Sequence, residues 1–304
     1  MYFKNAQLYA VSMSQGLTAA LLDEQLRRRV FQHCGSQDMS FSGFVSPAGN
    51  DQLVHAIGDD WLICLQTEQR ILPSAVIQQE ADERAAELAE QQGFKLGRKQ
   101  MKDLREQVAQ ELMPRAFVRR SRTYAWIDTA TGRLAVDAPS ASRAEDLIEL
   151  LRHCTDDLSV TLLRTDKTPT AAMADWLASN AAPEGFTIDQ DCELRSVTED
   201  RAAVRYTHHP LEGDEIKGHL EAAKLPTRLA LTFDDRVSFV LTEKLEIKRI
   251  DFLDVIREQA GAAEDESELF DIEFVLMASE LRLAVGAMID ALGGLLVPVE
   301  GPLS

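Results

Sequence analysis

Between Pro73 and Pro114 the chain carries an almost unbroken block of strong helix formers, and no other regular structure suits it. Ser74 to Gln92 places Ile77, Ala81, Ala85 and Leu88 on one side of a helix, which should end near Gly93. A second helix is expected from about Arg98 to Leu112, stopping before Pro114, because a proline ring clashes with the preceding turn. The two segments predict a helical hairpin over residues 74–114, turned at Gly93 and Gly97 and protruding from whatever flanks it.

The flanks read differently. Residues 5–13 and 61–65 have strand character, with a short helix between Thr18 and Val30 placed by Leu21, Leu22 and Leu26. Past the hairpin, Phe117 to Asp128 and Arg133 to Val136 predict a β-hairpin around Thr131 and Gly132. Ser142 and Glu145 have the capping-box spacing that opens a helix from Ala144 to His153. The second half alternates strands (Ala202–Thr207, Arg228–Phe233, Val237–Leu241, Glu246–Phe252) with a helix at Asp214–Ala223 and a turn at Asp234–Asp235. A long amphipathic helix from Glu268 to Leu292 closes it before Gly293 and Gly294. The fold class expected is therefore α+β, with mixed short strands and helices. Four regions are expected: an N-terminal α+β region at 1–73, the hairpin at 74–114, a β-hairpin and helix completing the first region at 115–165, and a C-terminal α+β region at 166–304.

Charge is unevenly spread. The 304-residue chain has a formal net charge of −18, which argues against a polyanionic partner if the surface is uniform. Between Lys95 and Tyr124, however, nine basic residues (Lys95, Arg98, Lys99, Lys102, Arg105, Arg115, Arg119, Arg120 and Arg122) face three acidic ones, leaving −24 elsewhere. On a helical wheel the first five fall within about 120° of one another, away from Met101, Leu104, Val108 and Leu112. This segregation predicts either one polyanion-attracting surface or an ordinary solvated helix face.

Motifs for chemistry are sparse. There is no phosphate-cradling Gly-x-x-x-x-Gly-Lys, no Gly-x-Gly-x-x-Gly, no Gly-x-Ser-x-Gly elbow and no His-Glu-x-x-His. Asp235 with Glu246 and Lys248 is the one arrangement that resembles a metal-dependent phosphodiesterase, because an Asp and a Glu-x-Lys on neighbouring strands can hold a divalent ion and activate water. His208 and His209, adjacent on an expected strand, would point to opposite faces and converge poorly on a metal. Cys34, Cys64, Cys154 and Cys192 are too scattered for a zinc knuckle or a disulfide framework, and are expected as reduced thiols. No catalytic residue, cofactor or metal is expected. The absence of a signal-like start or a long apolar run suggests a cytoplasmic protein without a membrane partner. Phe117, beside the basic cluster, could meet a nucleobase, a partner chain or the core; the core is the default for a lone aromatic, and pattern alone does not choose.

Several separated stretches together resemble the RdgC family of recombination-associated proteins: Phe3-Lys4-Asn5, Cys34-Gly35-Ser36-Gln37-Asp38-Met39 and Ile71-Leu72-Pro73-Ser74, then Pro114-Arg115-Ala116-Phe117, Trp126-Ile127-Asp128-Thr129 and Leu292-Gly293-Gly294. They occur in the family's order over about residues 3–294. The resemblance implies a ring-shaped homodimer that encloses duplex DNA without reading its sequence, is nucleoid-associated, and restrains RecA-type recombinases in recombination and replication-fork repair. It also implies a dimer-interface role for Phe117 at a ring-closing contact, and for His208 and His209, which stand where the family has a basic and polar pair. Two alternatives remain: the metal-dependent nuclease using Asp235, Glu246 and Lys248, and a protein–protein adaptor that does not bind DNA.

Overall fold

The computed structural model describes residues 1–197, 202–258, 261, 263 and 265–296. In chain order the first part comprises β1 (Asn5–Met13), α1 (Ala19–Leu26), β2 (Ser40–Val45), β3 (Val54–Ile57) and β4 (Asp60–Ile71). It continues with α2 (Ser74–Gln92), α3 (Arg98–Leu112), β5 (Phe117–Asp128), β6 (Arg133–Val136), α4 (Ala141–Cys154) and β7 (Leu158–Leu162). The second part comprises α5 (Pro169–Ser179), β8 (Phe186–Ser196), β9 (Ala203–Tyr206), α6 (Asp214–Glu221), β10 (Lys224–Phe233), β11 (Val237–Thr242), β12 (Ile247–Phe252), α7 (Asp254–Arg257) and α8 (Glu266–Ala291). The protein is mixed α+β.

Every named strand pair is antiparallel, and β1 joins two sheets into one. Gln7–Ala10 pair with β6, Tyr9–Met13 with β7, and Asn5 and Ala6 with β12, so the strand that starts the chain serves as the seam. The strand order is β2-β4-β5-β6-β1-β12-β11-β10-β8-β9, with β3 added beside β4.

Alternation along the first-half strands sends successive side chains to two cores. Leu8, Leu62, Trp126 and Ala135 enter one core, which α8 fills with Phe274, Met277, Leu281, Val285 and Met288 at helical spacing. Their neighbours Tyr9, Ile63, Ile127 and Leu134 enter a second core under α1 and α4. With helices on both faces, Asp60–Leu65 is buried at every position. In the second half α5, α6 and α8 cover only one face, and the other carries Arg205, Arg228, Lys248 and Arg249 around a shallow hollow.

The helix α8 is also tied down ionically. Arg282 donates to Asp128 (2.9 Å) and to Asp60, and Asp60 also accepts from the Trp126 indole (2.8 Å). Glu280 accepts two hydrogen bonds from Arg236 (2.5 and 2.9 Å), Asp271 lies 3.0 Å from His55, and Glu273 meets the N-terminal ammonium.

Several local expectations need correction. The helix expected to run to Val30 stops at Leu26 and tightens into a 3-10 turn at Arg27–Arg29. α4 begins earlier than expected because Ser140, not Ser142, caps it by accepting from the Arg143 N–H. Glu145, cast as the return partner of a capping box, accepts instead from the Tyr9 hydroxyl at 3.1 Å. β12 begins at Ile247, one residue after Glu246. No helix among the described residues is long and apolar enough to cross a membrane.

Candidate nucleic-acid interface

The helices α2 and α3 pack against each other over a small core of their own, formed by Ala81, Leu104 and Val108 with Ile77, Ala85, Leu88 and Leu112 around it, separate from the two larger cores. Gly93, at φ +80°, takes the left-handed conformation that lets α2 end there, and its N–H closes on the Ala89 carbonyl. Arg84 joins Glu80 on its own helix to Glu111 on the other. With the apolar side of α3 turned to α2, Arg98, Lys99, Lys102 and Arg105 are left exposed. Lys95 is exposed too, but it precedes the Gly97 cap, so the wheel that grouped it with the others does not apply to it.

A 3-10 turn carrying exposed Arg115 leads from α3 into β5. The strands β4 and β5 pair without a break from Asp60↔Asp128 to Ile71↔Phe117. Their outer halves run clear of both main cores, leaving Phe117, Val118, Arg119, Arg120 and Arg122 exposed. Phe117 is 85% exposed, which excludes the core reading for this residue.

The nine cations do not share one face. Period-2 alternation puts Arg120 and Arg122 on the Trp126 side of the ribbon and Arg119 on the other, where it lines a trough with Ser121 and Thr123. Their electrostatic states also differ. Arg120 donates to Glu68 directly across the ladder at 2.7 Å, and Glu68, 3% exposed, also meets His33 Nδ1 at 3.0 Å and the Cys34 N–H at 2.9 Å. Those hydrogen bonds, Arg120 first, pull the Glu68 carboxyl down to about 2. Arg120 is therefore largely neutralised. Lys102 has Glu106 at 3.6 Å, a loose pair one turn along the helix. Arg119 meets the amide oxygen of Gln69 (3.3 Å), and Arg122 meets that of Gln66 (3.2 Å) and the Tyr124 side chain. Among the described residues, Lys95, Arg98, Lys99, Arg105, Arg115, Arg119 and Arg122 have no carboxylate within salt-bridge distance.

The other nominated residues lie elsewhere. His208 and His209 follow β9 in an exposed loop, so the opposite-faces argument does not hold for them. His208 has φ +52° and its N–H donates to Asp191, while His209 donates its N–H to the Gln190 carbonyl. Asp235 sits in the turn before β11, and Glu246 beyond the far end of that six-residue strand. At about 3.3 Å per residue they are roughly 20 Å apart. Glu246 is already bound to Lys248 (2.9 Å), so this trio is not a metal centre. Among the described residues no cluster of three or more His, Cys, Asp or Glu side chains is arranged to hold a metal. Cys64, Cys154 and Cys192 are buried free thiols and Cys34 is half-buried.

The sequence reading overlooked Arg28, Arg29 and Arg143, which line the same trough as Arg119. Arg27-Arg28-Arg29 was visible as a basic run; Arg143 carried no local signal.

Residues 1–295 match the family model described as "Putative exonuclease, RdgC". Three similar proteins are each called recombination-associated protein RdgC. That of Dechloromonas aromatica is 52% identical across 99% of this chain and all of its own. That of Cupriavidus necator is 46% identical across 97% and 99%, and that of Burkholderia cenocepacia 45% identical across 97% and 96%. With full-length matches at this level of identity, the chain belongs to the RdgC family.

Proposed function

We propose that this protein serves recombination, as its relatives' names state of them, by binding duplex DNA without sequence preference and without cutting it. The observation that carries this reading is the set of seven exposed cations lacking carboxylate partners between Lys95 and Arg122, in a chain of net charge −18. In an acidic protein, free cations are readily neutralised by neighbouring carboxylates, and here that happens fully only at Arg120. Their placement on α3 and on the outer ribbon suits phosphate contacts, and the acidic remainder discourages binding elsewhere.

On this reading the α2–α3 hairpin, residues 74–114, is a projecting arm. Phe117 docks on a second copy and helps close a ring around DNA, with His208 and His209 at the other contact. A dimer clamped on duplex blocks extension of a RecA-type filament, and the protein is held at the nucleoid. Support for the dimer contact is the 85% exposure of Phe117 beside its exposed cross-strand partner Ile71, an apolar pair at a strand end that water solvates poorly.

The test is a titration of random duplexes over a range of salt. The expected result is affinity that falls with a log–log slope of about −0.9 per phosphate neutralised and varies less than about tenfold with sequence. A flat salt response overturns the proposal. End-labelled duplex incubated with Mg²⁺ or Mn²⁺ addresses the exonuclease in the family description: progressive shortening by the wild type would replace binding with cleavage.

A further inference from the structure

A trough of about 770 Å³ lies between α4 and the outer part of the sheet formed by β2, β4 and β5. Four arginines from three separate stretches line it: Arg28 and Arg29 from the 3-10 turn after α1, Arg119 from β5 and Arg143 from α4. None of them is within salt-bridge distance of a carboxylate among the described residues; each is held by neutral oxygens. Arg28 donates to the Cys154 carbonyl (3.0 Å), Arg29 to the Ser42 carbonyl (3.1 Å), and Arg119 to the Gln69 amide (3.3 Å). Arg143 donates to the Thr123 hydroxyl (3.1 Å) and to Ser121. Arg29 is further fixed by lying 4.4 Å over the Phe41 ring. A guanidinium has five N–H donors, so each keeps at least three for a ligand while its orientation is already set.

The rest of the lining is hydroxyl-rich, with Ser40, Ser42, Thr67, Ser121 and Thr123 on the strands. Leu65 and Leu150 supply apolar surface, and Asp146 and Glu149 on α4 partly offset the arginines. The balance remains positive in a strongly acidic chain.

We propose that this trough binds a phosphate monoester of mononucleotide size. Arginine forks match phosphate oxygens bidentately, and hydroxyls complete the donor set. The volume lies within the range of small-molecule sites. A duplex, whose major groove alone is about 12 Å wide, is too broad to enter such a cavity. The same phosphate chemistry is presented by a free nucleotide and by the 5′-phosphorylated end of a DNA strand. The site does not rest on the duplex-binding proposal, since only Arg119 is common to both surfaces.

Calorimetric titration of the full chain with dAMP and with deoxyadenosine tests it, alongside a short single strand bearing either a 5′-phosphate or a 5′-hydroxyl. The expected result is binding of dAMP but not of the nucleoside, weakened at least about tenfold in Arg28→Gln with Arg143→Gln, while salt-dependent plasmid binding persists. A preference for the 5′-phosphorylated strand assigns the site to strand ends; its absence, with dAMP bound, assigns it to free nucleotide. Should the double variant fail to fold, Arg119→Gln, anchored only to Gln69 on an exposed strand, reports the same loss. No dAMP binding up to about 10 mM together with no 5′-phosphate preference overturns the proposal, as does wild-type dAMP affinity in the folded variants. Loss of the plasmid salt response in the wild type would overturn duplex binding alone.

Discussion

The two halves of the β4–β5 ribbon have one backbone pairing and opposite roles. From Asp60↔Asp128 to Leu65↔Thr123 the ribbon is buried on both faces, and its charges are matched to Arg282. From Gln66↔Arg122 to Ile71↔Phe117 the same ladder continues, yet it carries three arginines and a bare phenylalanine into solvent. What changes is the cover, because α8 and the apolar side of α4 pack over the inner half, whereas over the outer half α4 reaches the ribbon through polar contacts such as Arg143 to Ser121 beside the trough. A charge under that cover affects folding strongly, since stranding it in a poorly solvated place is costly. A charge beyond the cover hardly affects folding and is free for a partner.

The largest expected effect comes from removing the partner on the covered side. Burial raises the Asp60 carboxyl, Trp126 and Arg282 opposing; burial also acts on Asp128, which is fully enclosed, but there Arg282 and Thr131 outweigh it and the carboxyl ends up below its usual range. Arg282→Ala leaves both carboxylates without their cation and should cost about 3 kcal/mol in urea denaturation. A loss below about 0.5 kcal/mol would erase the contrast between the two halves.

Next is Phe117→Ser. A core phenylalanine truncation costs roughly 3 to 5 kcal/mol of folding stability, whereas at 85% exposure the melting temperature of the monomer should hardly move. If Phe117 anchors a second copy, association measured by sedimentation should weaken by about 2 kcal/mol. Unchanged self-association would remove this residue from the proposed ring contact.

A smaller change is expected from Arg98→Glu, Lys99→Glu and Lys102→Glu together. Duplex affinity should drop at least about tenfold at physiological salt, with a shallower salt slope and an unchanged fold, because the apolar side facing α2 is untouched. Wild-type binding by a folded, dimeric triple variant would make this helix face ordinary surface and move the DNA path to Arg115, Arg119 and Arg122.

The smallest effect sharpens the comparison at its boundary, where Glu68 is a buried carboxylate on the otherwise exposed half. Its folded-state value is depressed from 4.5 to about 2, so its contribution to stability is present above pH 4.5 and fades as pH falls toward 2. Glu68→Gln should therefore be less stable than wild type at pH 7 by a margin that narrows over that window. A margin independent of pH would show that Arg120 does not depend on the Glu68 charge.

Local constraints made much of the fold legible. Ser74–Gln92, Arg98–Leu112 and Phe117–Asp128 agree with the sequence reading to the residue, because prolines, glycines and side-chain period act through the backbone of their own segment. β8 went unread. Its apolar positions Phe186, Ile188, Cys192 and Leu194 keep one phase but are interrupted by Asp189-Gln190-Asp191, where its register against β10 shifts, and the polar triplet leaves two stretches too short to mark a strand. α5 was missed although Thr168 and Pro169 form a regular helix start, with the threonine accepting from the Ala171 N–H.

The candidate site divides along the same line. Sequence alone established that positive charge concentrates between Lys95 and Arg122 and that ordered stretches across the chain match one family, since composition and motif order need no coordinates. Only the tertiary structure decided which of those charges are free. Arg120 is neutralised because antiparallel register sets Glu68 opposite it, Arg119 turns to the trough because odd and even residues leave a strand on opposite faces, and Asp235 and Glu246 are held apart by the length of β11. Each of these depends on which segments become neighbours in space, and Coulomb energy depends on distance through space rather than along the chain.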